Sequence, residues 1–345
     1  MSNRIQNDEG SRILVVKLSS LGDLFHALPA VTLIRRARGT TVDWVTQPEY
    51  ADLVRCFEGV RRVIPFPRRA FVSGFLPFLR ELRSEEYEWA LDFQGLVKSA
   101  LATRCARASR RIGPAFSREG AHLFHGELAG RKDKNRHAVE EALDFVSHLG
   151  VPPGAVEFPV AFPVVPRPEP GPRVALAPCS RWPTKNWSAD RFVQVGRELR
   201  DRIGATLYLV GSAADRAVCD EIARGIGQGV VNLCGGTSLV ELGSLLQEMN
   251  LAITVDSGPM HMATAVGVPV LAVFGATDPR RTGPFGGSHR VLTAESLDCR
   301  PCFSDACRRS DLACLDRVSA DAVVETAMEM LGEGFRFQVS GVRKE

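Results

Sequence analysis

Two short junctions hold the residues best suited to chemistry. Asp256-Ser257-Gly258-Pro259-Met260-His261 follows directly on the apolar run Leu251–Val255. At a strand-to-helix junction, Gly258 lets a backbone approach closely, and Pro259 suits the first helical position, where a missing N–H costs nothing. The unsatisfied N–H groups of that turn can hold a phosphate, with Asp256 or Ser257 as cap and His261 facing the same ligand. An ordinary cap followed by a core histidine is the plain alternative. Ser20-Leu21-Gly22-Asp23, with His26 one turn later, takes the corresponding place after the apolar run Ile13–Leu18. Asp23 could remove a proton from a bound hydroxyl if its surroundings raise its basicity above an intrinsic pKa of about 3.9. A helix-capping carboxylate would read the same way.

A third cluster, Arg181-Trp182-Pro183-Thr184-Lys185-Asn186-Trp187, offers two cations, a hydroxyl and two indoles. Such a loop can meet a diphosphate: Lys185 offsets charge on a departing phosphate and Thr184 donates a hydrogen bond to an oxygen. A solvated lysine is the alternative. Gly211–Asp215 could touch a nucleotide ribose through Asp215, although capping explains Ser212 equally well. Neither Gly22 nor Gly235-Gly236 completes the G-x-G-x-x-G pattern of a dinucleotide site, which disfavours nicotinamide chemistry. Cys299, Cys302, Cys307 and Cys314 could bind a structural zinc as four thiolates, but their spacing lacks two regular C-x2-C knuckles. Reduced packing in a loop is the favoured reading, with zinc and a disulfide as alternatives and no catalytic metal. The remaining cysteines, Cys56, Cys105, Cys179, Cys219 and Cys234, are scattered and need no role beyond packing.

The elements that must carry these groups alternate. Apolar strands are expected at Ile13–Leu18, 41–45, 62–66, 89–92 and 110–113, with helices near Leu24–Arg36, 47–56, 75–83, 95–107 and 137–149. After a proline-dense stretch at 152–172 the alternation restarts, with strands at 173–177, 206–210, 230–233, 251–255 and 268–274. Helices are expected there near 189–202, 213–226, 239–249 and 259–265, and a last one at Ser319–Leu331, capped by Ser319, could pack across either domain. Strands spaced by helices mean α/β layering. The 345 residues therefore divide into domains at 1–163 and 173–330, with a linker at 164–172 and a tail at 331–345. A formal charge of +3 speaks against general nucleic-acid binding, although Arg61-Arg62 and Arg68-Arg69 could face an anionic substrate. With no continuous apolar run in Met1–Arg12, the chain is expected to be cytoplasmic; its nine cysteines are then expected as free thiols.

Several words together resemble one family, the bacterial lipopolysaccharide heptosyltransferases, inverting sugar-nucleotide glycosyltransferases of the two-domain B fold (GT-B). They are VVKLSSLGDLFHALPA at 15–30, LDFQGLVKSA at 91–100, VDSGPMHMATAVGVPVLAVFGATDP at 255–279, and CRPCF with the later cysteines after Asp298. The resemblance spans most of residues 12–331. FSREGAHLFH at 116–125 and HAVE at 137–140 look closer to the enzyme adding the first heptose, whereas the cysteine-rich segment is more typical of relatives adding later sugars.

The resemblance implies two Rossmann-like α/β/α domains facing a central cleft. It implies ADP-L-glycero-D-manno-heptose as donor and the inner core (Kdo or first heptose) as acceptor, with ADP released. It assigns Asp23 as the base and Lys185 to the donor diphosphate. Thr184, Asp215, Asp256, Ser257, Gly258 and His261 would hold the donor, and Ser20, Gly22, Lys98 and Arg118 the acceptor. Residues 211–215 lack the glutamate that close relatives carry near the ribose, and Ser257 stands where a threonine is common. The implied partner is a lipid-linked anionic core sugar, met peripherally at the cytoplasmic membrane face. Domain closure about the proline-rich linker would align the substrates and exclude water. A sugar-nucleotide epimerase or hydrolase, or a zinc-stabilised sugar- or nucleotide-binding protein, are the alternative functions.

Overall fold

The structure, a computed structural model, describes residues 12–68, 71–133, 135–166 and 171–340. The chain divides into two compact units, Met1–Ala161 and Phe162–Glu345. In the first, strands β1 (Ile13–Val16), β2 (Val42–Thr46), β3 (Val60–Pro65), β4 (Tyr87–Asp92), β5 (Ala108–Pro114) and β6 (Glu127–Ala129) alternate with helices. These are α1 (Leu21–Arg38), α2 (Ala51–Arg55), α3 (Phe71–Leu82), α4 (Val97–Cys105) and α5 (Ala138–His148). The strands form one parallel sheet in the order β3-β2-β1-β4-β5-β6. A parallel strand covered on both faces must be apolar throughout, and all four residues of β1 are buried. Val16 lies opposite Asp92 in the β1–β4 register, so the loops leaving these two strands emerge side by side. From there the chain winds outward in opposite directions, which opens a crevice at the carboxyl edge of the sheet.

The second unit repeats the plan with β7 (Arg173–Ala177), β8 (Thr206–Leu209), β9 (Val230–Asn232), β10 (Leu251–Val255), β11 (Val270–Phe274) and β12 (Arg290–Thr293). Its helices are α6 (Ala189–Ile203), α7 (Arg216–Ile226), α8 (Leu239–Leu246), α9 (Gly258–Ala265), α10 (Pro279–Thr282), α11 (Ala313–Asp316) and α12 (Ala320–Ser340). The sheet order β12-β11-β10-β7-β8-β9 is that of the first unit read from the other edge. Its opposed connections meet at β7 and β10, where Ala177 pairs with Thr254. Both sheets thus have the Rossmann order.

Helix α12 starts where expected, with the Ser319 hydroxyl accepting the Ala322 amide at 3.2 Å. Its Val323, Val324, Ala327, Met330 and Leu331 join the buried cluster of the second unit. It continues past the expected end at Leu331 to Ser340, so residues 331–340 of the expected tail are helical. The short strands β6 and β12 and helices α10 and α11 go beyond the elements read from sequence. Each has only three or four residues, too few for a periodic signal. The proline-dense stretch is not a free connection throughout. The Glu58 amide donates to the Pro159 carbonyl and the Ala161 amide to the Cys56 carbonyl, tying its first half to the first unit. Gln247 in turn donates to the Pro163 carbonyl within the second.

One expectation about thiols fails. Cys219 on α7 and Cys234 after β9 are fully buried side by side and joined as a disulfide, rather than packing as separate free thiols. Cys56, Cys105, Cys179, Cys299, Cys302, Cys307 and Cys314 are free.

Candidate active site

At the β1–β4 crevice the first unit gathers Lys17, Ser20, Asp23, Gln94 and Gly95. The Gln94 side-chain carbonyl accepts the Leu18 and Ser19 amides, both at 3.0 Å, and so locks the two loops to each other. Behind it Asp92 is fully buried. One of its carboxylate oxygens accepts the Gln94 and Gly95 amides at 2.8 and 3.1 Å; the other meets the Ser99 hydroxyl at 3.0 Å and His125 Nε2 at 3.1 Å. Gly95 has φ +69°, and a Cβ there would stand 2.8 Å from Pro114 Cγ, so the turn requires glycine. The Arg118 amide donates to the Gly95 carbonyl at 2.9 Å, which brings this exposed arginine to the same edge.

Asp23 Oδ2 accepts both the amide (2.8 Å) and the hydroxyl (2.9 Å) of Ser20. This bond begins α1 at Leu21, three residues before the expected start. The capping role weighed for Asp23 is therefore real, but it occupies one oxygen only. Oδ1 lies 3.8 Å from His26 Nδ1, and the Asp23 side chain keeps 42% of its surface exposed. Partial burial works to raise the Asp23 pKa; the Lys17 ammonium, His26 and the Ser20 amide outweigh it and hold the carboxyl well below the usual carboxylate range, so the surroundings keep it ionised rather than raise its basicity as expected. Lys17 is itself buried at the end of β1, its ammonium donating to the Phe93 carbonyl at 2.9 Å. His26, also buried, meets His137 edge to face at 5.5 Å.

At the β7–β10 crevice the second unit brings the other two clusters together. Lys185 Nζ is 2.8 Å from Asp256 Oδ2 and 4.8 Å from the centre of the Trp182 ring. The same Asp256 oxygen accepts the Thr277 hydroxyl at 2.6 Å. Asp256 therefore caps nothing. Ser257 holds the N-cap position of α9 with an extended backbone, and its hydroxyl makes no capping bond. That hydroxyl is buried and has no hydrogen-bond partner among the described residues. The amino end of α9 thus presents backbone N–H groups without a side-chain cap beside an ammonium, an arrangement suited to an anion. His261 is buried on its first turn.

The cysteine segment supports this loop from outside. The Cys302 and Phe303 amides both donate to the Ala276 carbonyl, at 3.0 and 2.9 Å, and the Arg300 guanidinium bonds the Gly275 and Thr277 carbonyls. A Cβ on Gly275 would stand 2.7 Å from the Thr184 carbonyl. Among the described residues no group of three or more His, Cys, Asp or Glu is placed to hold a metal. Burial raises the Cys314 thiol pKa, and the neighbouring Cys302, Cys307 and Cys299 add to the effect.

Several expected roles change. The Thr184 hydroxyl donates to the Ser304 carbonyl at 2.5 Å and is buried, so its proton stitches the loop to the cysteine segment rather than pointing at a ligand. Trp187 donates to the Val318 carbonyl and is part of the core. Asp215 accepts the Ser212 amide and hydroxyl; burial, with Asp215 as a nearby charge, pushes the Cys179 thiol in the β7 loop up to about 12. Arg61 and Arg62 do not reach the carboxyl edge. They lie at the amino end of β3, where both bond the buried Asp43, which also accepts the Tyr87 hydroxyl at 2.9 Å. Burial first, then Asp43, pushes the Tyr87 pKa up to about 12. Arg68 does follow β3, and bonds the Gln47 side chain at 3.3 Å. Arg69 lies outside the described residues. Sequence reasoning missed Lys17, Gln94 and Thr277 beside the expected site residues; a polar side chain shortly beyond an apolar strand was the available signal.

Two Rossmann-ordered sheets, one with a lysine–aspartate pair at an uncapped helix start, define a protein built to handle a phosphorylated nucleotide. The chain belongs to glycosyltransferase family 9 (heptosyltransferase), whose family model matches residues 75–313. It is 29% identical over 318 residues to lipopolysaccharide heptosyltransferase 1 of Pseudomonas aeruginosa, covering 86% of this chain and 87% of that one. It is 30% identical over 306 residues to lipopolysaccharide heptosyltransferase 1 of Escherichia coli K12, covering 82% and 93%. A solved structure of the E. coli heptosyltransferase WaaC with ADP superposes with a TM-score of 0.77 at 26% identity, over 92% of this chain and 99% of that one. No described helix is long and apolar enough to cross a membrane.

Proposed function

We propose that the protein transfers heptose from ADP-L-glycero-D-manno-heptose to the lipopolysaccharide inner core, at Kdo or the first heptose, releasing ADP. The first unit binds the acceptor and the second the nucleotide sugar. The observation that carries this reading is the Lys185–Asp256 pair beside the open amino end of α9. Similarity to two proteins named lipopolysaccharide heptosyltransferase 1 supports the first-heptose reading, in which Kdo is the acceptor residue.

In this mechanism Ser20 holds Asp23 Oδ2, and Oδ1 takes the proton of the acceptor hydroxyl as its oxygen attacks the anomeric carbon. The bond from that carbon to the β-phosphate oxygen breaks, its electron pair leaving with ADP, and attack opposite the departing group inverts the centre. Lys185 and the α9 amides neutralise charge developing on the diphosphate. Ser257 and His261 line the donor side, Asp215 approaches the ribose, and Ser20, Gly22 and Arg118 shape the acceptor side. Lys98 meets an acidic group of the acceptor. The lipid-linked acceptor is met at the cytoplasmic face of the membrane.

The test is purified full-length protein with ADP-heptose and a deep-core acceptor. One ADP should be released for each heptose mass gained by the acceptor. Donor consumption without acceptor would favour a hydrolase, and no turnover with either core acceptor would sink the reading.

A further inference from the structure

The first unit carries a groove whose apolar lining the transfer chemistry leaves unused. It runs between α3 and α4, with a volume of ≈ 410 Å³. Phe66 and Phe78 belong to the buried cluster beneath it, and Phe75, Leu79 and Leu101 line it above. Solvent reaches Leu101 of the lining, 42% exposed; Leu76, next to the lining Phe75 in α3, is 69% exposed, and Leu123, on the turn packed against α4, 78%. Exposed apolar side chains on the elements that frame an open apolar groove mark a contact surface.

Its rim is cationic. Lys98 lines the groove, and Arg83 reaches its far end, donating to the carbonyl of Cys105. Arg80 on α3 and Arg104 on α4 are exposed, and Arg104 shares a second depression with Leu123 and Arg111. Against these stand Glu81 and Glu119, and Glu119 accepts the Val97 amide. Phe66 follows β3, and Lys98 follows β4, so the groove begins at the carboxyl edge of the sheet, the edge that carries Asp23. Leucines ringed by arginine and lysine suit an anionic bilayer, whose headgroups attract the cations while the acyl layer accepts the apolar side chains.

We propose that the α3–α4 groove and its basic rim seat the first unit on an anionic lipid bilayer, with Leu76 and Leu101 entering the acyl layer. This deepens the proposed function and rests on it for one point: the seated edge is the one at which a lipid-linked acceptor would offer its sugar to Asp23.

The experiment is co-sedimentation of the full-length protein with phosphatidylcholine vesicles, with and without phosphatidylglycerol, at low and high salt. Binding should require the anionic lipid and weaken as salt rises. Leu76→Glu with Leu101→Glu should reduce it at least about tenfold, whereas Val231→Glu, on an exposed edge strand of the second unit, should not change it. Arg80→Ser with Arg104→Ser, which removes two exposed charges and leaves both leucines in place, should also weaken binding. Transfer to a deacylated, water-soluble acceptor should be equal in wild type and the leucine variant. Wild-type protein that ignores phosphatidylglycerol vesicles would overturn the proposal and leave the groove to a protein partner. Leucine and arginine variants that bind vesicles like wild type would overturn it too, as would loss of transfer to the soluble acceptor in the leucine variant. Absence of transfer by wild type to every acceptor, with lipid binding and its variant pattern intact, would defeat the functional reading alone.

Discussion

Lys185 and Asp256 form an ion pair at 2.8 Å between the loop after β7 and the end of β10, and Thr277 closes on the same carboxylate oxygen. The pair fixes the ammonium beside the start of α9. Lys185→Met should therefore lower kcat by about 10²–10³-fold, the scale of removing one preorganised charge at a leaving group. Steady-state ADP release measures it. An unchanged kcat would take Lys185 out of the leaving-group role.

Asp23→Asn keeps an oxygen to accept the Ser20 amide, so α1 should still start at Leu21, but the amide cannot take a proton. Turnover should fall by about 10²–10⁴-fold, while calorimetry with ADP should show unchanged affinity. Equal turnover would remove Asp23 as the base.

Lys17 favours the ionised form of Asp23. A base acts only when ionised, so the acid limb of kcat/KM should lie below the ordinary aspartate range in the wild type. In Lys17→Met that limb should move to higher pH, by about one unit or more. Stability follows the same sign: the contribution of the depressed carboxyl is complete above its unfolded pKa of about 3.9 and is lost as pH falls toward the folded value. A pH–rate profile that does not move would sever the coupling between the two residues.

Asp43 is buried under Arg61, Arg62 and Tyr87 at the amino edge of the first sheet. Asp43→Ala leaves two guanidinium groups and a hydroxyl without their acceptor and should cost about 3–5 kcal/mol in denaturant unfolding. ADP affinity should be unchanged, since this cluster lies at the opposite sheet edge from Asp23 and wholly in the first unit. Weaker ADP binding would mean that the cluster acts on more than the fold.

Much of the frame was readable because parallel strands are predominantly apolar runs: Ile13–Val16, Arg173–Ala177 and Leu251–Val255, each with at most one polar residue, stand out against the helices between them. The junctions after them were readable for the same reason, since a polar word following such a run falls at the carboxyl edge. What could not be read was partner choice. Sequence cannot show that Asp256 turns to Lys185 and Thr277 instead of capping α9, or that Thr184 points at Ser304, because both depend on loops far away in the chain. Arg61-Arg62 looked like a patch for an anion, yet Asp43 on the neighbouring strand takes both. Cys219 and Cys234 gave no signal, as neither spacing nor surroundings distinguish a core pair from two separate core thiols.

The stitches from Ser304, Cys302 and Phe303 to Thr184 and Ala276 make the cysteine segment an outer wall of the lysine-bearing loop. A change there would reach Lys185 through the Thr184 and Ala276 hydrogen bonds. The cysteine segment is thereby a remote support, able to shift the position of Lys185 while Lys185 and Asp256 themselves stay unchanged.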